Sequence, residues 1–185
     1  MPNWPRGGPT KAKHSSETKF GISPANEPCA GRMVRLKLKV WVADGFRCRY
    51  SGDLLFFPGY LTALSAVWPE TFPAHPNWKA DAAHDVYWTH SASLEHVDPV
   101  SIGGAENEEN WITTSMARNQ VRSRYPLQSL GWEIRPRAAT PDWDGGIVQF
   151  RALLDQRPAL LSGEIWGRYL TKWYAAVGTV CDSAP

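Results

Sequence analysis

Cysteine is scarce in this chain and long apolar runs are missing, and both absences exclude whole classes of protein. Cys29, Cys48 and Cys181 are odd in number and far apart. They build neither a disulfide framework nor a four-thiolate zinc site, so reduced thiols are expected. No run of 18 or more apolar residues occurs, and the opening MPNWPRGGPTKAKHSS lacks the apolar middle of a secretory signal. The expectation is a cytoplasmic protein without a membrane partner. Charge of one sign is not in excess either, since the net charge is only +2. What remains is ordinary: 185 residues, 43% hydrophobic and 21% charged, suit one soluble globular domain with a real core.

The distribution of charge is more informative than its sum. Lys11, Lys13, Lys19, Arg32, Arg35, Lys37, Lys39, Arg47 and Arg49 load the first 50 residues, and Arg118, Arg122, Arg124, Arg135 and Arg137 form a second group. Two basic zones on a nearly neutral chain suit a bound polyanion, or simply a solvated surface. Residues 1–31 are rich in Pro, Gly, Ser, Lys and Asn without a hydrophobic period and read as a flexible basic arm. In MVRLKLKVWV, Val34, Leu36, Leu38, Val40 and Val42 alternate as in a strand, while Val34, Leu38, Trp41 and Val42 also share a helical face. Both readings stay open. RCRYSG after Asp44-Gly45 reads as a short strand and loop, PGYLTALSAVW at 58–68 as a helix opened by proline, and VYWTHSASLEHV as strand-like. NWITTSMARNQVRSRY reads as a strand running into a helix. Two amphipathic helices follow, one marked by Ile147, Phe150, Leu153 and Leu154, the other by Ile165, Trp166, Tyr169, Leu170, Trp173 and Val177. Most tryptophans are expected in packing.

The segment SLEHVDPVSIGG at 93–104 does not read as a core strand. Hydrolysing a phosphodiester requires a water deprotonated near neutral pH, for which histidine is matched, and a divalent ion to offset charge on the phosphate. Hard cations take oxygen ligands from carboxylates and amides. Glu95, His96 and Asn119 supply a carboxylate, an imidazole and an amide. Neighbours in a flat strand face opposite ways, so Glu95 and His96 would act together only if the strand bends near Pro99. Asn110 is placed to bond across the loop. His75, His84 and His90 lie in Pro-rich or strand-end surroundings that do not suggest a second metal site.

EHVDPVSIGG at 95–104, NWITTS at 110–115 and RNQVRS at 118–123 together resemble the HNH endonuclease motif. DGFRCRYSG is similar to the entry segment of that family, and WDGGIVQFRALL to the tail of some bacterial members. The resemblance implies an α+β fold with a ββα-metal (His-Me finger) core and flanking helices. Residues 32–137 would be the nuclease domain with an insertion at about 52–92, and 138–185 a C-terminal helical segment. It implies His96 as general base and Asn110 as the asparagine orienting the hairpin. Glu95 and Asn119 would be ligands of a magnesium or manganese ion, and Arg122 would lie near the position that contacts the phosphate backbone. Beside that site, Arg118, Arg122 and Arg124 on one helix suit substrate contact, or else a solvated face. The implied reaction is hydrolysis of DNA, double-stranded by expectation, to 5′-phosphate and 3′-hydroxyl ends.

One departure stands out. Many members carry a zinc held by two Cys-x-x-Cys pairs, and the matching places here are Cys48 with Ser51 and Ser115 with Arg118. With one thiolate of four, no structural zinc is expected. Two other readings use the same residues: an inactive nucleic-acid-binding module on this scaffold, and a structure-selective or RNA-directed nuclease. Double-strand cutting would favour a homodimer, although no surface in the sequence marks one.

Overall fold

The computed structural model describes residues 27–181. The expected arm at 1–31 lies largely outside them, and its last residues open a helix. That helix, α1 (Glu27–Ala43), settles the ambiguous segment. Leu38 and Trp41 are buried while Lys39 and Val42 are exposed, a helical rather than an alternating pattern. The helices that follow are α2 (Pro58–Val67), with proline in its first turn, and α3 (Val86–Thr89). The strands β1 (Ala92–His96) and β2 (Trp111–Ser115) lead directly into α4 (Met116–Arg122). The chain then continues through α5 (Leu127–Leu130), α6 (Ile147–Gln156) and α7 (Gly167–Cys181). The class is α+β, with one two-stranded antiparallel sheet among helices.

Three local expectations need correction. RCRYSG forms a turn with an isolated bridge between Arg47 and Leu54, not a strand. VYWT is a helical turn, so strand structure begins only at Ala92. Ile165 and Trp166 precede α7 rather than opening it, and Ile165 is exposed.

One core is shared by the expected nuclease domain, its insertion and the C-terminal segment. Leu38 and Trp41 of α1 meet Leu55, Phe57 and Ala63 of the insertion, and Phe150, Leu154, Leu170, Trp173 and Val177 of α6 and α7. Phe57 stands edge-on to Phe150 and Trp173 at ring separations of 5.0 and 5.1 Å, a favoured aromatic geometry. The insertion therefore contributes to packing. No helix among the described residues is long and apolar enough to cross a membrane.

The sheet has two edges, and each is satisfied by other chain. On the β1 side, Phe56 accepts from Ala92 N and donates to His90 O. On the β2 side, Arg49 N donates to Thr113 O at 2.8 Å, and Thr113 N donates to Asp44 Oδ2 at 2.8 Å. The Asp44 side chain is fully buried. Its Oδ1 accepts from Arg49 Nη1 at 2.8 Å and Arg137 Nε at 2.7 Å.

Removing that carboxylate leaves a buried amide without an acceptor and a mostly buried guanidinium without its counter-charge. Asp44→Ala is expected to cost about 3 kcal/mol, seen as a lower urea midpoint at unchanged slope. A loss below about 1 kcal/mol would show that the junction is not anchored by Asp44.

Candidate active site

The loop between β1 and β2 is shaped by glycine and held by one asparagine. Gly103 has φ +99°, a region that favours glycine, and a Cβ on Gly104 would stand 1.8 Å from Asp98 O. Asn110, buried at the start of β2, closes the loop. Its Oδ1 accepts from Asp98 N, and its Nδ2 donates to Asp98 O and Ala105 O, each at 2.8 Å. These bonds commit the side chain to the loop, in the bracing position expected of it. Asn107 Oδ1 in turn accepts from Asn110 N at 3.2 Å.

Helix α4 is fixed against β1 by its own polar side chains. Ser115 caps it, its Oγ accepting from Arg118 N at 3.3 Å. Asn119 Nδ2 donates to Ser93 Oγ at 3.1 Å and Leu94 O at 2.7 Å. That leaves the amide oxygen as the remaining acceptor. One turn on, Arg122 Nη2 donates to Val97 O at 2.7 Å, and its Nη1 donates to Tyr125 O. Asn119 thus grips β1 before Glu95 and Arg122 grips it after. Ser93 and Glu95 share a strand face by alternation, so Glu95 faces the helix between these two contacts.

The expected arginine face divides accordingly. Arg122 is 1% exposed and directs Nη1 and Nη2 at carbonyls of its own chain, so it joins helix to hairpin instead of presenting a charge to phosphate. Arg118 is partly exposed, lying 5.5 Å over the Trp132 ring and 3.8 Å from an Asp53 oxygen. Arg124 is exposed. At the places where zinc pairs would stand, Cys48 is buried with its Sγ 3.5 Å from Thr114 Oγ1. There Ser115 caps α4, and Arg118 approaches Asp53. Polar side-chain contacts occupy both positions.

Glu95 and His96 occupy consecutive, regularly paired positions, opposite Ile112 and Trp111. Pairing stays regular through His96, the last residue of β1, and the chain bends directly beyond it, at Val97 and Asp98 before Pro99. Glu95 is 5% exposed. One oxygen, Oε1, accepts from His96 N at 3.1 Å, whereas Oε2 is closed off from water without a hydrogen-bond partner. Burial pushes the Glu95 carboxyl up to about 7, against the opposing pull of the Arg122 charge and the His96 amide. Tyr50 shares this pocket. Burial, with Glu95's charge adding to it, pushes its hydroxyl up to about 12.

His96 stands with its ring 6.2 Å from that of Trp111 at 84°. Its Nε2 lies 3.2 Å from Glu106 Oε2. Neither Glu106 nor Tyr50 was singled out by pattern. Glu106 sits in the acidic run AENEEN, which looks like a solvated loop, and Tyr50 lies 45 positions from Glu95 in sequence.

Glu95 Oε2 and Asn119 Oδ1 are left without a hydrogen bond, and both are hard oxygen donors. Among the described residues no three His, Cys, Asp or Glu side chains are grouped to hold a metal. His75 and His84 each use Nδ1 to accept a backbone N–H two residues ahead.

A carboxyl whose folded pKa is about 7, against 4.5 as its ordinary value, holds its proton more tightly when folded. The stability it permits is fully present below about 4.5 and is lost as pH rises through 7. In EDTA, Glu95→Gln should therefore match wild type near pH 5 and exceed it by about 2 kcal/mol at pH 8 in urea unfolding. Parallel stability curves for the two proteins would show that Glu95 is not held in a desolvated site.

No protein-family model, curated protein or solved structure matches the chain.

Proposed function

We propose that the chain is a metal-dependent DNA endonuclease of the HNH kind, with β1, β2 and α4 forming a ββα-metal core. The observation that carries this reading is the unpartnered, buried Oε2 of Glu95 between the two points where α4 grips β1. The imidazole of His96 is the next side chain along the strand. A carboxylate left without a partner costs stability, and a site that binds a cation gives it a use.

In this reading Glu95 and Asn119 hold magnesium or manganese through their free oxygens. When bound, such an ion offsets the charge on a non-bridging phosphate oxygen and on the departing 3′ oxygen. His96 takes a proton from the water whose oxygen bonds to phosphorus as the phosphorus–O3′ bond breaks, and the departing 3′ oxygen takes a proton from solvent, leaving a 5′-phosphate and a 3′-hydroxyl. Asn110 has no contact with the reacting atoms in this scheme; it fixes the loop that follows His96. Arg124 and the exposed part of Arg118 are the basic groups of α4 and its C-terminal end proposed to meet the phosphate backbone, a sequence-independent contact. Arg122 is not among them. No structural zinc enters the proposal, because the knuckle at 48–53 is joined to β2 and α4 by Cys48, Thr114, Asp53 and Arg118.

The test is cleavage of supercoiled plasmid by wild type and His96→Ala with magnesium, with manganese and with EDTA, nicked and linear products being followed separately. Wild type should cut only with metal, and the variant should be slower by about 10²–10⁴ while binding DNA normally. Cutting that persists in His96→Ala removes the assignment of the base. Salt-sensitive DNA binding without cutting under any metal would point to a binding module. Parallel branched, single-stranded and RNA substrates identify the polymer.

A further inference from the structure

We propose that Glu106 is the positioning residue for His96, its carboxylate holding the imidazole proton on Nε2 and leaving Nδ1 as the lone pair that accepts a proton. The role rests on the nuclease reading, but the contact and its effect on the ring do not.

Neutral imidazole has one N–H and one lone pair, and the group bound at one nitrogen decides the function of the other. Nε2 is closed off from water and lacks an aligned hydrogen-bond partner, while Glu106 Oε2 stands 3.2 Å away. An ionised carboxylate only accepts, so it favours the N–H at Nε2. The remaining freedom of the ring is limited by Trp111, the cross-strand neighbour of His96, packed edge-on against it.

The loop is built to bring Glu106 there. Asn110 Nδ2 binds the carbonyl of Ala105, the residue immediately before it, and Asn107, the residue after it, caps the turn at 108–110. Gly104 permits the close approach to Asp98 that returns the chain toward β1. On the other side is Lys37 of α1. Burial lowers the Lys37 ammonium and the nearby charge of Glu106 opposes that shift, which places a cation where it favours the ionised carboxylate. Asn110 thus acts on His96 at a distance, through the residue it places.

The experiment uses the full chain labelled with ¹⁵N-histidine, in EDTA at pH 8, with long-range proton–nitrogen correlations assigned by their loss in His96→Ala. Wild type is expected to show the Nε2–H tautomer, Glu106→Gln to keep it through the amide oxygen, and Glu106→Ala to shift toward a mixture. Glu106 is 57% exposed, so the variants should fold. Given cleavage, Glu106→Ala should lower kcat by about 10- to 100-fold with little change in KM, and Glu106→Gln should restore most of it. A proton on Nδ1 in wild type, or an unchanged tautomer ratio in Glu106→Ala, overturns the proposal. So does a lower KM with higher kcat/KM in Glu106→Ala, which would make the carboxylate an occupant of the substrate's anion position. If the tautomer shifts but wild type cuts nothing, the contact stands and the nuclease reading fails.

Discussion

The carboxylate of Asp44 binds four pieces of chain at one point. It begins the turn after α1 and accepts from the knuckle at Arg49, from the returning segment at Arg137 and from the outer edge of β2 at Thr113. A two-stranded hairpin is marginal by itself. β2 has β1 on one side, and on the other it has only the knuckle and Asp44 to satisfy its backbone. Everything at the candidate site is attached to β2 or to its ends: Asn110 at its start, α4 at its finish, and Glu95 and His96 across the ladder from it. Ala92 and Ile112 pack the sheet directly into the helical core, and Asp44 adds a buried, multiply bonded carboxylate at the outer edge of β2.

From this anchor the polar side chains act in series. Asn119 and Arg122 fix the helix side of β1, and Asn110 fixes the loop that closes over its end. Each restrains conformation by binding backbone groups of the hairpin or its loop, Asn119 adding the Ser93 hydroxyl. The division of labour goes with a difference in exposure. Arg122 and Asn110 are buried among backbone acceptors. Asn119 keeps one amide oxygen uncommitted.

The hairpin and its helix were legible because local chemistry dictates them: Pro99 and the paired glycines turn the chain, and Ser115 caps the helix that follows. The same holds for α2 with its proline and for α6 with its apolar stripe. Residues 34–42 were not legible, since lysine and arginine at alternate positions satisfy a period of two while the apolar residues satisfy 3.6 as well. Contact with α7 decides between them. Arg122 looked like a surface arginine because its acceptor Val97 O lies 25 residues back. Asp44 is harder still, with acceptor contacts to residues 5, 69 and 93 positions away. Burial of a charge is a tertiary property. Composition near that charge does not report it.

The Glu95 pocket shows what the rest of the fold has to support. Arg122 gives Glu95 its field but not a hydrogen bond, because Nη1 and Nη2 are directed at Tyr125 O and Val97 O, and Nε has no partner. Tyr50 OH stands beside the Arg122 guanidinium, whose charge and hydrogen bond oppose the upward push of burial on the hydroxyl. A buried carboxylate oxygen without a partner leaves its desolvation uncompensated. Filling the pocket with apolar side chains would be the stabilising solution. The carboxyl there has its neutral form favoured and one oxygen without a hydrogen bond. The aromatic core and the Asp44 junction offset that deficit elsewhere, and this separation lets the hairpin keep an unsatisfied site without losing its register.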